Sequence, residues 1–517
     1  MAIIGIDLGT TYSAIAVLDD IGNPEVLSSL DDSRVTPSVV YISANNKIIV
    51  GNKAKSAGIG DPNRVIKAVK KEMAYDDKVF DVNKGMFVQG NQDLKNTYSP
   101  AFISACILKE LKNYTQDVKK VVVTVPALFS DAAKKATQDA ANDAGLEVLE
   151  LIHEPTAAVL HYSNIPGVNL SGNILVFDLG GGTFDVTIAN VQGKKINIIT
   201  SRGDTNLGGT DFDKEIFNLL SEKYKKEKGN SLDKKNGQYF EVAEKIKRIL
   251  SVKEHASEVI DGPSGPLKIK ITRDEYLKSI DSYLDRIKML LDDCLDNEER
   301  KLQPNEISET LLVGGSSRTP IITELVTKKM GKAPVKGVNV DEAVASGAAL
   351  YAGLLSKDEL NAAQKDSIEN IELQDITNFY LGTSALRLNN ATQKYETYNS
   401  IIIPRDTKLP CSETKDYYTT YDGQERINIK VTSSATNEEN IDFVDVIGEY
   451  ALDLPPDTPA DGRIDTTYAY DTSGIMHCET VHVSSGNTNG TDIIIKGTSS
   501  TKSNNDDNPF LNFDDDD

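Results

Sequence analysis

Apolar strand-like runs and helical stretches alternate along the first part of the chain. Two runs, 119–129 and 172–181, are rich in apolar residues and end at proline or glycine, which is the pattern of a buried strand. Residues 130–146 have a helical pattern that Ser130 can begin and Gly145 can end. Strands and helices in alternation predict an α/β architecture for this part of the chain.

The pattern changes in the later part of the chain, where short alternating runs replace the helical stretches. Residues 366–377 are mostly polar, which predicts a linker between a first domain at 1–365 and a second at 378–497. The second region is rich in Thr, Tyr, Ile and Val and alternates at 426–431, so it predicts an all-β domain. Residues 498–517 are polar and acidic, which predicts a disordered tail.

Length and charge narrow the possible functions. The 517 residues favour two or more domains. There are 56 basic and 78 acidic side chains, which give a net charge of −22. That charge disfavours binding to nucleic acid or to an anionic membrane, although backbone amides can still hold phosphate.

Cysteines and targeting signals add little chemistry. The four cysteines are far apart and form no Cys-x-x-Cys pair, so the sequence predicts no metal site and favours reduced thiols. The chain begins without the pattern of a signal peptide, and it has no apolar run long enough to span a membrane. We therefore expect a cytoplasmic protein.

Two segments of the first domain share one plan. Residues 3–17 and 174–191 each contain an apolar strand, the sequence Asp-Leu-Gly, a turn of small residues with threonine, and a second apolar strand. Strands that match on both sides of the turn make a chance likeness a poor explanation. The repeat predicts two related subdomains that face each other.

Both turns have the composition of a phosphate-binding site, because glycine allows close approach of the backbone and successive amides can hold phosphate oxygens. Asp7 and Asp178 end the preceding strands, and two carboxylates beside phosphate suit Mg²⁺. Either aspartate alone fits a simple turn cap, but the pair favours the metal. The predicted phosphate-binding residues are Gly9, Thr10 and Thr11 in the first turn and Gly180, Gly181, Gly182 and Thr183 in the second.

Two further segments are candidates for holding a nucleoside. Residues 311–320 run from an apolar strand through Gly314, Gly315 and Ser316 into a predicted helix, and such a start is a common anion site. Residues 244–251 predict a helix with one charged face, where arginine can stack on a base. An ordinary turn and a solvated face are the alternatives. The residues of that face are Glu244, Lys247, Arg248 and Ser251.

Taken together, these segments resemble the nucleotide-binding domain of the seventy-kilodalton heat-shock (DnaK-like) chaperone family. The resemblance implies an α/β actin-like ATPase domain, with two lobes around a nucleotide cleft, followed by a β-sandwich domain. The segments appear in the family's order and are IGIDLGTTYS (4–13), VVVTVPALFSDAAKKATQDAANDAGLEV (121–148), HEPTAAVLHY (153–162), VFDLGGGTFDVTI (176–188), LGGTDFD (207–213), LLVGGSSRTP (311–320) and DEAVASGAAL (341–350).

The resemblance also implies ATP or ADP with Mg²⁺ and K⁺, and transfer of the γ-phosphate to water. It assigns catalytic roles to Asp7, Lys70, Glu154, Asp178, Thr183 and Asp185, with Lys71 as an alternative to Lys70 and with Asp7 and Asp178 organising the metal. It assigns nucleotide binding, besides the two turns, to Gly208, Gly209, Glu244, Lys247, Arg248, Ser251, Gly314, Gly315, Ser316, Arg318 and Asp341.

For the second domain the resemblance implies a peptide-binding groove, with Tyr418, Tyr421 and Ile427 lining or covering it. The expected function is an ATP-dependent chaperone that couples nucleotide state to binding of unfolded polypeptide. The alternatives are an exchange-factor-like adaptor with little ATP turnover and a small-molecule kinase of the same superfamily.

Two departures from the family pattern bear on partners. The family's helical lid has no counterpart after residue 497, so we expect a lid-less variant that binds clients weakly. Glu150 stands where DnaK-type members carry a basic residue that helps recruit the J-domain partner. We therefore expect client polypeptides as partners, together with a dedicated rather than a general J-domain protein and a nucleotide exchange factor.

Overall fold

The computed structural model describes residues 2–494, apart from 30, 59, 76, 91–95, 117, 166, 169, 235, 297–300, 336–338, 340, 390–392 and 472–474. The predicted acidic tail, 498–517, lies outside the described residues. The chain divides into two compact units, and the division falls between Ile371 and Glu372. Residues 197–201 group with the second unit.

The first unit contains most of the strands and all of the α-helices that the structure describes. Its strands are β1 (Ala2–Asp7), β2 (Tyr12–Leu18), β3 (Pro24–Val26), β4 (Thr36–Pro37), β5 (Val39–Ile42), β6 (Ile48–Val50), β7 (Val65–Lys67), β8 (Lys78–Asp81), β9 (Met86–Gln89), β10 (Thr97–Tyr98), β11 (Val118–Val125), β12 (Glu147–His153), β13 (Ser171–Leu179), β14 (Phe184–Gln192), β15 (Lys195–Asp204), β16 (His255–Gly262), β17 (Gly265–Thr272) and β18 (Ile307–Val313). Its helices are α1 (Gly51–Ala57), α2 (Pro100–Lys112), α3 (Asp131–Asp143), α4 (Glu154–Ser163), α5 (Gly209–Lys228), α6 (Gly237–Leu250), α7 (Arg273–Ser279), α8 (Asp281–Leu295), α9 (Pro320–Met330), α10 (Ala343–Leu355) and α11 (Ala362–Ser367). Short 3₁₀ turns occur at Pro62–Arg64, Val69–Glu72, Pro304–Glu306, Gly315–Arg318 and Lys357–Glu359.

Two mixed sheets organise this unit, and they repeat one topology. In the first sheet, β1 pairs antiparallel with β2 and parallel with β11, and the order is β12-β11-β1-β2-β3, with β4 also paired to β2. In the second, β13 pairs antiparallel with β14 and parallel with β18, and four of its strands run β18-β13-β14-β15. The internal repeat predicted from the sequence is therefore present in the fold. We call residues 2–163 with α10 the first lobe and residues 171–330 the second lobe.

The two hairpins place an aspartate at the same position, at the end of the first strand of each. Asp7 lies opposite Ala14 in the first hairpin, and Asp178 lies opposite Asp185 in the second. Both aspartates therefore stand at the carboxyl end of a central strand, where side chains of neighbouring strands converge.

The core of the first lobe is built from the apolar faces of β1, β11 and the helices that cover them. Ile4, Ile6 and Val123 are fully buried in one apolar cluster with side chains of α2 and α3. Helix α3 begins as predicted, because the Ser130 hydroxyl accepts a hydrogen bond from the Ala133 amide at 3.3 Å. Gly145 follows the helix with φ +72°, which confirms its predicted role at the helix end.

The order of elements predicted at 311–320 is confirmed. The sequence predicts a strand that runs through Gly314, Gly315 and Ser316 into a helix, and the structure has β18, then a four-residue 3₁₀ turn, Gly315–Arg318, and then α9, which begins at Pro320. Gly314 turns the chain with φ +76°, and a Cβ there would lie 2.5 Å from the Leu179 carbonyl oxygen. Proline at the first position of a helix is favourable, so the helix starts there instead of at the glycines.

The second unit contains two four-stranded antiparallel sheets, as the all-β pattern predicts, and one further short strand that belongs to neither of them. The orders are β21-β20-β23-β24 and β22-β25-β26-β27. Its strands are β19 (Glu372–Gln374), β20 (Tyr380–Asn389), β21 (Lys394–Ile403), β22 (Cys411–Tyr418), β23 (Arg426–Ser434), β24 (Asp445–Asp453), β25 (Arg463–Tyr470), β26 (Ile475–His482) and β27 (Thr488–Ile494). Side chains of both sheets, among them Val431 and Tyr468, share one buried apolar cluster, so the sheets form a sandwich.

Candidate functional site

The two Asp-Leu-Gly turns face each other across the first unit. A Cβ on Gly181 would lie 1.9 Å from the Thr11 hydroxyl oxygen, and one on Gly182 would lie 2.7 Å from the Thr10 hydroxyl oxygen. The second turn is closed by the Gly180 amide, which donates to the Thr183 carbonyl at 3.0 Å. Only glycine allows the two turns to approach this closely.

The carboxyl groups of Asp7, Glu154, Asp178 and Asp185 lie together behind these turns, and the pKa values of the three aspartates are raised. Burial and the charge of Glu154 raise the pKa of Asp7 to about 7. Burial, followed by the charges of Glu154, Asp185 and Asp7, raises the pKa of Asp178 well above its usual range. Burial and Glu154 raise the pKa of Asp185 to about 8. The two aspartates that the sequence singled out therefore share one electrostatic environment.

One lysine lies among these acids. Lys70 is buried on the 3₁₀ turn Val69–Glu72, and its Nζ donates to the Glu154 carboxylate. Lys71, the alternative from the sequence, instead donates to the Asp211 carboxylate at 3.0 Å. The structure thus brings Lys70, and not Lys71, into the carboxyl cluster.

The cluster fits a divalent cation held mainly through water. Four acids face one lysine, and one carboxylate oxygen of Asp185, Oδ2, is buried without a hydrogen-bond partner. The Thr124 hydroxyl donates to Asp7 at 2.9 Å. Within the described ranges no three acidic, His or Cys side chains lie close enough to chelate an ion directly. Mg²⁺ keeps several waters and is bound by one or two carboxylates with phosphate, so this arrangement suits it.

A third segment lies against the second turn. The Gly209 amide donates to the Gly180 carbonyl at 3.0 Å, and the Thr210 amide donates to the Gly181 carbonyl at 2.8 Å. Gly208 precedes α5, where its amide donates to Asp211 at 3.0 Å. These bonds fix the glycine pair of 207–213 beside the predicted phosphate site.

Residues of helix α6 and the residue that caps its end form the four-residue set predicted to hold the nucleoside. Lys247 donates to the Gly209 carbonyl at 2.8 Å and pairs with Asp213 at 2.8 Å. Arg248 donates to the Glu244 carboxylate at 2.7 Å and to the Tyr12 hydroxyl at 2.8 Å. The remaining member, Ser251, ends the helix and donates to a carbonyl of the same helix. The charged face therefore lies against the glycine segment and the first turn.

The residues predicted around 314–341 also meet. Arg318 forms two hydrogen bonds to Asp341, at 2.7 and 3.2 Å. A Cβ on Gly209 would lie 2.2 Å from the Ser316 hydroxyl oxygen, and one on Gly315 would lie 3.8 Å from an Asp341 oxygen. All nucleotide-site residues predicted from the sequence thus fall in one region of the first unit.

Several residues of this region were not predicted as site residues. Asp211 and Asp213 hold Lys71 and Lys247, respectively, although both lie in the quoted motif 207–213. Tyr12 follows the first turn, and Arg248 lies 5.7 Å from its ring centre. The motif was a signal for the two acids, whereas the contact of Tyr12 with α6 depends on tertiary structure alone.

The predicted peptide-binding residues lie in the second unit. Tyr418 and Tyr421 are exposed, and the Tyr418 hydroxyl donates to Asp416 at 2.8 Å. Ile427 packs against the apolar cluster that contains Ile429 and Leu452. The structure therefore gives two exposed aromatic side chains and one half-buried aliphatic side chain at these positions.

Other sequence expectations concern cysteines and membranes. All four cysteines are free thiols. No helix in the part of the chain that the structure describes is long and apolar enough to cross a membrane.

Comparisons with known proteins agree with this geometry. The sequence model of the family described as Hsp70 protein matches residues 3–510. The chaperone protein DnaK of Thermotoga petrophila is 37% identical over 505 residues, which cover 94% of this chain and 79% of the relative. DnaK of Thermosipho africanus is 35% identical over 505 residues, covering 94% of this chain and 78% of the relative. Nothing in these comparisons favours the alternative of an adaptor with little turnover.

Proposed function

The chain belongs to the Hsp70 family, and from this membership we propose how its residues bind and hydrolyse ATP. The protein is an ATP-dependent chaperone: it hydrolyses ATP to ADP and phosphate, uses Mg²⁺, and couples nucleotide state to the binding of client polypeptides with the help of cochaperones. The first unit is the actin-like ATPase domain, and the second is the β-sandwich domain.

We propose that the phosphates lie between the two Asp-Leu-Gly turns. The turn amides and the hydroxyls of Thr10, Thr11 and Thr183 would bind phosphate oxygens, because successive amides form a concave anion site. The close approach of Gly181 to Thr11 supports this position. Asp7 and Asp178 would hold Mg²⁺ through its waters, and the metal would neutralise charge on the phosphates.

The chemistry would depend on positioning more than on a covalent nucleophile, as is general for phosphoryl transfer. Lys70, held by Glu154, would donate to the γ-phosphate and stabilise the charge that develops there. Asp185 has a buried carboxylate oxygen without a protein partner, which could accept a hydrogen bond from the attacking water. The water oxygen forms a bond to γ-phosphorus while the bond from γ-phosphorus to the β,γ-bridging oxygen breaks. ADP leaves with that oxygen, and the water gives up a proton to the phosphate product or to solvent.

The nucleoside would lie against α6 and the 3₁₀ turn Gly315–Arg318. Arg248 can stack on a flat base, and the Glu244 and Lys247 side chains can reach ribose hydroxyls. Arg318, fixed by its paired hydrogen bonds to Asp341, would close the other side.

The observation that carries this assignment is that Asp7 and Asp178 come from opposite lobes into one environment. We expect Asp178→Asn to lower single-turnover ATP hydrolysis by roughly 10²-fold or more, because the metal loses one of its two anchors. Asp20→Asn, at an exposed carboxylate, is the matched control. Unchanged hydrolysis in Asp178→Asn would refute the assignment.

We further propose that K⁺ binds beside Asp185 and Glu154. Excess negative charge and the unpartnered Asp185 oxygen support a second cation in this cluster. Hydrolysis should be faster in KCl than in NaCl at equal ionic strength, and Asp185→Asn should abolish the difference. Equal rates in the two salts for the wild-type protein would rule out a K⁺ requirement.

The cochaperones are proposed to be a dedicated J-domain protein and a nucleotide exchange factor. Glu150 is buried and accepts a hydrogen bond from the Tyr351 hydroxyl at 2.9 Å, so it offers no basic contact to a J-domain. A general J-domain protein should therefore stimulate hydrolysis weakly. Strong stimulation by such a protein would contradict the proposal.

We propose that Tyr418, Tyr421 and Ile427 contribute to the client-binding groove. The exposure of both tyrosines supports contact with an extended peptide, since aromatic side chains supply large contact area. Tyr421→Ala should weaken binding of a fluorescent apolar peptide, whereas Phe443→Ala, at another exposed aromatic side chain, should not. Equal affinities of Tyr421→Ala and the wild type would exclude Tyr421 from the groove.

A further inference from the structure

We propose that Glu72 and Lys78 are positioning residues for ATP hydrolysis, because their ion pair holds the turn that carries Lys70. The inference rests on the proposed function, in which Lys70 donates to the γ-phosphate. It gives a role to the small three-stranded sheet β10-β8-β9 of the first lobe, which supplies none of the proposed site residues.

The chain enters the 3₁₀ turn Val69–Glu72 through a strained residue. Ala68 lies between β7 and this turn with φ 54°, in the left-handed region. An alanine there is disfavoured, because its Cβ crowds the following carbonyl oxygen. Such a conformation persists only where surrounding contacts impose it, and strained residues of this kind cluster at functional sites. The shape of the turn therefore depends on contacts beyond its own backbone.

Apolar packing holds the inner side of this turn. Val69 and Met73 are buried in the core of the first lobe. The Ser104 hydroxyl of α2 donates to the Met73 sulfur at 3.2 Å. Because hydrophobic burial is not directional, this packing fixes the depth of the turn in the lobe more than its rotation.

A directional contact holds the outer side of the same turn. The Lys78 Nζ atom donates to the Glu72 Oε2 atom at 2.7 Å, and the two side chains are 29% and 24% exposed. The same Nζ atom lies 3.7 Å from the centre of the Tyr75 ring. A cation over an aromatic ring is attracted to it, so Lys78 has two partners in the segment that contains and follows the turn.

Lys78 is a fixed point for this contact. It is the first residue of β8, and Phe80 of the same strand is buried. Phe80 belongs to the apolar cluster that also contains Val69 and Met73. The ion pair therefore ties the end of the Lys70 turn to a strand that is anchored in the core of the first lobe.

The position of the turn decides where the Lys70 Nζ atom lies. Lys70 reaches the Glu154 carboxylate from the middle of this turn. A misplacement of about 1 Å in a catalytic group can lower a rate by two orders of magnitude. A partly exposed ion pair contributes little to global stability, so its loss should leave the protein folded and act on the position of Lys70.

The test measures single-turnover ATP hydrolysis and ATP affinity in variants of the full chain. Glu72→Gln should hydrolyse ATP roughly tenfold more slowly than the wild type, while its dissociation constant for ATP changes by less than about twofold. Lys78→Met should match Glu72→Gln, whereas Lys78→Arg, which keeps the charge, should retain most of the rate. Lys84→Met is the matched control, because Lys84 pairs with Asp81 of the same small sheet at 3.3 Å, and its rate should equal that of the wild type.

A double-mutant cycle separates positioning from a general structural role. In the Lys70→Met background, Glu72→Gln should not lower the residual rate further, since a residue that acts through Lys70 has no effect once Lys70 is removed. An equal loss in both backgrounds would overturn the inference, as would wild-type hydrolysis by Glu72→Gln. Wild-type hydrolysis by Lys70→Met would instead refute the proposed role of Lys70 itself, so the two failures are distinguishable.

Discussion

At the scale of single residues, the carboxyl cluster concentrates unfavourable electrostatics in one buried space. The pKa values of Asp7, Asp178 and Asp185 are all raised, because burial disfavours the charged forms and the negative charge of Glu154 lies near them. Such perturbation is typical of functional sites, where a ligand supplies the missing charge. The cluster therefore lowers stability in the empty site and favours cation binding.

This cluster predicts a pH dependence of stability. In the unfolded chain these carboxyls titrate near pH 3.9, whereas the pKa values of folded Asp7 and Asp185 are about 7 and 8. The folded state binds more protons over this interval, so stability is lost as pH rises from about 4 to about 8. Without nucleotide, Asp185→Asn should lose less unfolding free energy between pH 6 and pH 8 than the wild type, by on the order of 1 kcal/mol.

Urea unfolding at the two pH values measures this difference. Asp20→Asn, at an exposed carboxylate, should behave as the wild type. Parallel losses in Asp185→Asn and the wild type would show that Asp185 is not buried in a protonated state.

The sequence predicts the residues of this site unevenly. Asp7 and Asp178 were predictable because each follows an apolar strand and precedes a glycine turn, and both signals are local. The partners of Lys70 and Lys71 were not, because two adjacent lysines have the same local pattern and only the tertiary fold directs them to different acids.

At the scale of elements, close backbone packing between α10 and α4 holds the first lobe together. A Cβ on Gly347 of α10 would lie 1.8 Å from the Ala157 carbonyl oxygen of α4. Because backbone atoms cannot move aside as a side chain can, this position admits only glycine without separation of the helices.

Gly347→Ala should therefore destabilise the first unit by roughly 1–3 kcal/mol or more. Gly353→Ala, in the same helix, is the matched control, because its Cβ would first meet the flexible Leu18 side chain at 2.7 Å. Urea unfolding should show the larger loss in Gly347→Ala. A greater loss in Gly353→Ala would contradict the packing argument.

Elements with strong periodic patterns were predictable, and their boundaries shifted by a few residues. The predicted helix at 130–146 is Asp131–Asp143, with its cap at Ser130 as expected. The helix predicted after Gly314, Gly315 and Ser316 is present and begins at Pro320, a favourable first helical position, after a 3₁₀ turn that the sequence did not predict.

At the scale of the whole molecule, one chain contains an ATPase unit and a β-sandwich unit. Because the chain belongs to the Hsp70 family, nucleotide state in the first unit is coupled to client binding by the second. The composition of residues 378–497 was enough to predict the all-β architecture, since alternation has a period of two in strands. The pairing order β21-β20-β23-β24 was not predictable, because contacts far apart in sequence decide it.

Coupling between the units should appear in the kinetics of client release. A fluorescent apolar peptide should dissociate at least about fivefold faster with ATP than with ADP, within the usual range of coupling between two sites. Stopped-flow dilution measures both rates. Asp178→Asn, which should not organise Mg²⁺ with ATP, should lose most of the difference, and equal rates in the wild type would contradict coupling.

The two Asp-Leu-Gly turns belong to different sheets, so neither lobe contains the whole of the proposed nucleotide site. A site divided in this way responds to the spacing of the bodies that carry it. Any force that widens the gap by a fraction of a bond length weakens the grip of both turns at once. The proposed site is therefore sensitive to distance, and separation of the lobes would release a ligand held by both turns without any contact to that ligand.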